Sequence, residues 1–197
     1  MSKRRISITS FPEEVSKTTN EEEVKARFCG AFGFELDSPY RMDLYTEKIL
    51  FEFKYDKQFK KASARAAVIA QTMYYIRRLK YGKSLLTIPP FICGICKHSA
   101  FIVDTADYKK IYTNAKYDWD RTPSCPSPDM VKAIEEYKAT QSAQVYSFNQ
   151  PLEWKLFSEK IVLSQITQPY LPPFGSLDID KKNITMDNFE QVYDYWK

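Results

Sequence analysis

The sequence predicts an α/β domain on three observations. A capped amphipathic stretch ends at Gly33, and a tight hairpin pattern occupies residues 41–55. A helical stretch over 62–81 then leads into two apolar, strand-like runs at 91–96 and 100–104. Helix and strand periods thus alternate along one stretch of chain, as they do in layered α/β folds. At 197 residues the chain can hold one domain with an appendage and bury a sizeable core.

Each element has a local reason. Residues 1–18 read as a loosely attached N-terminal arm. Asn20 is placed to cap a first helix, and Glu23, three residues on, completes a capping box. Val24, Phe28 and Phe32 recur at four-residue intervals and mark its buried stripe, and Gly33 terminates it. In the hairpin, a turn centred on Glu47-Lys48 pairs Thr46 with Ile49. The second strand, Ile49-Leu-Phe-Glu-Phe, is apolar on both faces and reads as central.

A basic linker from Lys57 to Lys61 leads to the second helix, Ala62 to Tyr81, stopped by Gly82. A turn at Lys97-His98-Ser99 joins the two later strands. Pro123, Pro126 and Pro128 mark a loop over 118–128. A helix is expected near 129–140, a strand or helix at 152–163, and a break at 169–175. A helix-like pattern from Asp187 runs to the last residue, which reads as the front piece of a longer protein. The resulting division is an arm (1–18), a main domain (19–168) and a C-terminal extension (169–197).

Composition narrows the class. Hydrophobic residues make up 44% and charged residues 27%, which fits a globular chain. A net charge of +4 permits nucleic-acid binding without requiring it, because phosphate contact depends on a local basic patch. The longest wholly apolar run, Ala66 to Ala70, is far short of a membrane span. Charge without an apolar core follows Met1, so no secretory signal is visible and a cytoplasmic location is expected. Cys93 and Cys96 form a Cys-x-x-Cys ahead of the single histidine, His98. A zinc site would also need Cys29 or Cys125. On an apolar strand the two cysteines face opposite sides, so buried thiols are expected, with His98 at the surface.

The hairpin carries the chemistry. Its register sets Asp43 opposite Glu52, and Lys54 shares the face of Glu52 because side chains alternate along a strand. Two carboxylates about 5 Å apart at an effective dielectric near 20 repel by roughly 3 kcal/mol. A divalent cation converts that repulsion into a ligand pair, since hard cations take carboxylate oxygens, and Lys54 adds a donor for an anionic substrate. On the second helix, Ala64, Ala67, Gln71, Tyr75 and Arg78 share one edge. Its small residues are expected to let it sit close to the sheet, with Gln71 and Tyr75 projecting side by side as orienting groups. The basic cluster Lys57, Lys60, Lys61 and Arg65, with Arg77, Arg78, Lys80 and Lys83 across the second helix, is the candidate phosphate-contacting surface.

These residues resemble the PD-(D/E)XK nuclease superfamily, the restriction-endonuclease-like fold. Asp43 matches its first acidic position and Glu52-Phe-Lys54 its (D/E)-x-K. Gln71-Thr-Met-Tyr-Tyr75 looks like the Gln-x-x-x-Tyr motif of the RecB-like branch. Asn20 to Arg27 is similar to the first-helix Glu-x-x-x-Arg of restriction-enzyme nuclease domains, which maps Glu23 to an extra acid and Arg27 to its partner. The match covers roughly residues 20–105. Met42 stands where the family usually has proline, and residues beyond about 105 match nothing assignable.

The resemblance implies a central mixed sheet flanked by helices and a Mg²⁺-dependent endodeoxyribonuclease, with Mn²⁺ as a substitute ion, serving as the nuclease module of a restriction or DNA-defence system. It implies Asp43, Glu52 and Glu23 as metal ligands, Lys54 as the group that positions water and stabilises charge, and Gln71 and Tyr75 as orienting groups. The alternative is a catalytically silent DNA- or protein-binding module of the same fold. A homodimer, or further domains of a longer chain, stay open as partners.

Overall fold

The computed structural model describes residues 6–36, 38, 41–82 and 86–165. Residues Met1–Ser164 form one compact unit and Gln165–Lys197 a second. Lys83, the expected break at 169–175, the helix-like pattern from Asp187 and the C-terminal extension lie outside the described residues.

The first unit is an α/β structure built on a five-stranded mixed sheet. In chain order it contains α1 (Phe11–Ser16), α2 (Glu21–Phe32), β1 (Leu44–Tyr45), β2 (Ile49–Phe53), α3 (Ala62–Tyr81), β3 (Phe91–Ile95) and β4 (Ser99–Asp104). A 3₁₀ turn (Thr105–Tyr108) leads to α4 (Lys109–Tyr112), α5 (Pro128–Glu135), α6 (Lys138–Gln141), β5 (Val145–Ser147) and α7 (Pro151–Gln165). The spatial order is β1-β2-β3-β4-β5. Only the β2–β3 pair is parallel, and α3 provides the crossover that parallel strands require.

The hairpin has the register its alternation predicts: Leu44 pairs with Phe51 and Tyr45 with Leu50, which continues to Asp43 opposite Glu52. All five residues of β2 are buried. Leu50 belongs to the core on one face of the sheet, with Met42, Ile92, Phe101 and the apolar side of α3. Ile49, Phe51 and Phe53 belong to the core on the other face, with α1, α2 and α7. Glu52, alternating with them, shares the face of Leu50. Cys93 and Cys96 do face opposite sides, one in each core.

Helix ends follow local chemistry. The Asn20 side chain accepts from the Glu23 N–H at 2.9 Å, and Gly33 adopts φ 77°, a left-handed cap that suits glycine. The helix α3 spans Ala62–Tyr81 as expected, but the small residues fully buried on it are Ala66 and Ala70. Ala64 is only partly buried and Ala67 is exposed.

Two expectations change, and one left open between strand and helix is decided. The N-terminal arm is not loose: Phe11 and Val15 of α1 are fully buried, and Phe11 stacks on Trp154 at 5.0 Å. The expected helix at 129–140 is two, α5 and α6, separated by a break at Tyr137. Residues 152–163 are helical, and β5 extends the sheet where no strand was expected.

Candidate functional site

Two extended segments and one helix end converge at the C-terminal end of β2. Asp43, just ahead of β1, accepts the Phe53 N–H through Oδ2 at 2.8 Å, which fixes its carboxylate beside the strand. Lys54, just past β2, donates to Glu52 Oε1 at 2.8 Å and to Glu21 Oε1 at 3.3 Å. Glu21, Asp43 and Glu52 each offer a carboxylate oxygen, and these atoms all lie within 4.8 Å of one another. Among the described residues no other three His, Cys, Asp or Glu side chains meet this closely.

The acid that α2 brings to the cluster is therefore Glu21. Glu23 is engaged in the cap, where its Oε2 accepts from the Thr19 N–H at 2.8 Å and the Thr19 hydroxyl at 3.3 Å. Its expected partner Arg27 instead lies 3.8 Å from Glu14. A signal for Glu21 was present in the sequence. It sits three residues before Val24 and seven before Phe28, on the stripe that the helix turns toward the sheet.

Glu52 is the most constrained of the three acids. It is 1% exposed, and its Oε2 has no hydrogen-bond partner among the described residues. Across the sheet the row reads Glu52, Gly94, Phe101. A Cβ at position 94 would collide with the Phe101 ring, so the ring lies directly over Gly94. Burial first, and the neighbouring Asp43 charge second, push the Glu52 carboxyl up to about 8 against the opposing pull of Lys54. Glu21 is raised for the same leading reason, burial, with Lys54 opposing. Burial works to lower Lys54, but Glu52, Glu21 and Asp43 outweigh it and the ammonium is stabilised. Three carboxylates thus meet one cation, an excess of negative charge in a low-dielectric site.

Tyr75, on α3, feels the charges of Glu52, Asp43 and Lys54, and Gln71 contacts Tyr75. The Tyr75 hydroxyl donates to the Arg41 carbonyl at 3.4 Å. It also accepts from Gln71, and its pKa is raised by burial and then by the Glu52 charge. Arg41 has φ 59°, a conformation uncommon for a side-chain-bearing residue. It precedes Asp43 by two positions.

The expected phosphate-contacting surface divides. Lys57, Lys60, Lys61 and Arg78 are exposed. Lys57 and Lys60 line a cavity of about 700 Å³ with Lys97 and His98, and His98 faces Asp56 at 3.8 Å. Arg65 does not belong to that surface. It is 3% exposed, and its guanidinium donates to the carbonyls of Phe59, Lys60, Thr140 and Gln141. Five fixed donors matched to backbone acceptors make it a brace between the start of α3 and the α6 region.

The donor set suits a hard divalent cation: all-carboxylate ligands, one of them buried with an oxygen left over, and a lysine alongside. The thiols play no part in it. Cys29, Cys93 and Cys96 are buried and Cys125 is exposed, all of them free. Among the described residues no helix is long and apolar enough to cross a membrane. No protein-family model matches the chain, and neither a curated protein nor a solved structure does so.

Proposed function

We propose that this chain is a metal-dependent deoxyribonuclease of the restriction-endonuclease-like type. The observation that carries the reading is the buried Glu52, which has Lys54 on Oε1, no partner on Oε2 among the described residues, and a carboxylate oxygen within 4.8 Å of those of Asp43 and Glu21. A carboxylate in that position is costly unless a cation compensates it. Glu21, Asp43 and Glu52 would hold Mg²⁺ or Mn²⁺. When bound, such an ion lowers the pKa of water and neutralises charge building on a phosphate.

The chain's own residues supply the rest. The Phe53 N–H holds Asp43 in one orientation. Lys54, kept cationic by its acidic neighbours, offers N–H donors to a non-bridging phosphate oxygen and orients the attacking water. Tyr75 and Gln71 restrict the approach from α3, and Lys57, Lys60 and Arg78 give sequence-independent contacts to the DNA backbone. The nuclease acts as the cutting module of a restriction or DNA-defence system.

The test is incubation of supercoiled plasmid with Mg²⁺ or Mn²⁺, comparing wild type with Glu52→Gln and Lys54→Ala. Nicking by wild type, abolished in Glu52→Gln and reduced about 10²–10³-fold in Lys54→Ala, is the expected outcome. Equal nicking by all three proteins means a contaminant. DNA binding without cutting under either metal points instead to a silent module.

A further inference from the structure

We propose that a second cavity, formed by Arg77, Arg78, Arg121 and Trp119, binds the phosphate backbone of the same DNA strand that reaches the acidic cluster. This rests on the nuclease reading for the identity of the polyanion. The cavity measures about 320 Å³, and Tyr75 and Tyr81 contribute to its wall. Three guanidinium-bearing residues line it, and among the described residues no carboxylate does.

Two of the three guanidiniums, those of Arg77 and Arg121, are held in place before any ligand arrives, and Arg78 is exposed beside them. Arg77 lies 4.5 Å from the Trp119 ring centre and 4.8 Å from that of Tyr81, and donates to the Tyr112 carbonyl at 2.9 Å. Its remaining N–H groups are left for other acceptors. Arg121 donates through Nε to the Cys125 carbonyl at 2.9 Å and lies 3.2 Å from the Cys125 sulfur. The loop that carries Trp119 and Arg121 is itself pinned to α3. The Tyr74 hydroxyl donates to the Asp118 carbonyl at 2.9 Å and accepts the Ser127 N–H at 3.1 Å. Cations fixed this way lose little freedom on binding an anion, and the planar forks match phosphate oxygens.

Tyr75 links the two sites. Its ring lines the cavity, while its hydroxyl end feels the charges of Glu52, Asp43 and Lys54. An anion that occupies the cavity and also reaches the cluster must extend past one aromatic side chain. Repeating backbone phosphates meet that requirement, whereas a single inorganic anion does not. The cavity therefore anchors a phosphate further along the strand presented to Glu52 and Lys54.

The experiment measures anisotropy of an end-labelled single-stranded oligonucleotide in EDTA, with affinity followed across a salt series. Each phosphate contact contributes about 0.7 to the slope of log affinity against log salt for single strands. Arg78→Gln should make the slope shallower by about that amount, and Arg78→Gln with Arg121→Gln by about twice it. A Lys109→Gln, Lys110→Gln protein, altered at a different cavity, should keep the wild-type slope. Wild-type slopes in both arginine variants, or an equal loss in the lysine control, overturn the proposal. Binding in EDTA is independent of cutting. Shallower slopes in a protein that never cleaves would support the cavity and sink the nuclease reading, and cleavage with unchanged slopes would do the reverse.

Discussion

Glu52 carries a carboxylate into a strand whose neighbours Phe51 and Phe53 are fully buried, and Lys54 answers only one of its two oxygens. The consequence for pH follows from linkage. The folded carboxyl titrates at about 8 against an ordinary value of 4.5. Between those values the folded state holds a proton that the unfolded state has released. The stabilisation present at low pH is therefore lost as pH rises toward about 8. In EDTA, the melting temperature of the wild type should fall across that window more steeply than that of Glu52→Gln, and Mg²⁺ should restore it at the upper end. Parallel pH profiles for the two proteins would contradict the assignment. Arg65 gives a second prediction at this scale. Arg65→Ala strands buried carbonyls and should cost about 2–3 kcal/mol in chemical denaturation, with Arg65→Lys recovering little because an ammonium cannot span the same acceptors. Sequence alone could not separate Arg65 from its lysine neighbours. The carbonyls that fix it include those of Thr140 and Gln141, some 75 positions away.

At the scale of elements, α2 shows two acids of one turn doing different work. Glu23 serves the cap and Glu21 serves the cluster. Glu21→Gln should weaken Mn²⁺ binding by at least the roughly 10–100-fold seen when groups supporting a metal site are removed. Glu23→Ala should leave that affinity near wild type while lowering stability by about 1 kcal/mol, the scale of a lost cap. Calorimetric titration and thermal melting of both variants distinguish the roles, and the reverse pattern would return Glu23 to the site. The capping box was legible because it is local. The direction of Glu21 was legible only by extending the Val24 and Phe28 stripe backward. The α1 element carried its own signal in Ser10-Phe-Pro-Glu-Glu, with proline and acids in a first helical turn. Its anchoring was not visible, because Phe11 packs on Phe148 and Trp154, near the far end of the domain. Phe11→Ala should cost about 3–5 kcal/mol, a loss no loose arm would produce.

For the whole molecule, the sheet faces two apolar cores and exposes the chemistry only at the end of β2, where Asp43, Lys54 and the start of α2 meet. Hairpin register, the strand–helix–strand order of β2, α3 and β3 and both ends of α3 could be read from periodicity and glycine placement, since each depends on near neighbours, whereas the parallel β2–β3 pairing joins distant residues such as Ile49 and Phe91. Much of the segment after residue 105 could not. Its helices α4, α5 and α6 are only 4, 8 and 4 residues long, the 15-residue α7 was expected only as a strand or helix, and the closing strand β5 is three residues long and gains its place only by pairing with β4. The arginine-lined cavity was hidden for the same reason, because Arg121 reaches α3 through a loop about 40 residues downstream. Metal-dependent cleavage requires the three carboxylates to seat one divalent ion. Titrating Mn²⁺ into the protein and following the free-ion paramagnetic signal tests that most directly. The structure predicts one saturable site in the wild type that is lost in both Glu52→Gln and Asp43→Asn. Equal Mn²⁺ uptake by all three folded proteins, or none by the wild type, would contradict it.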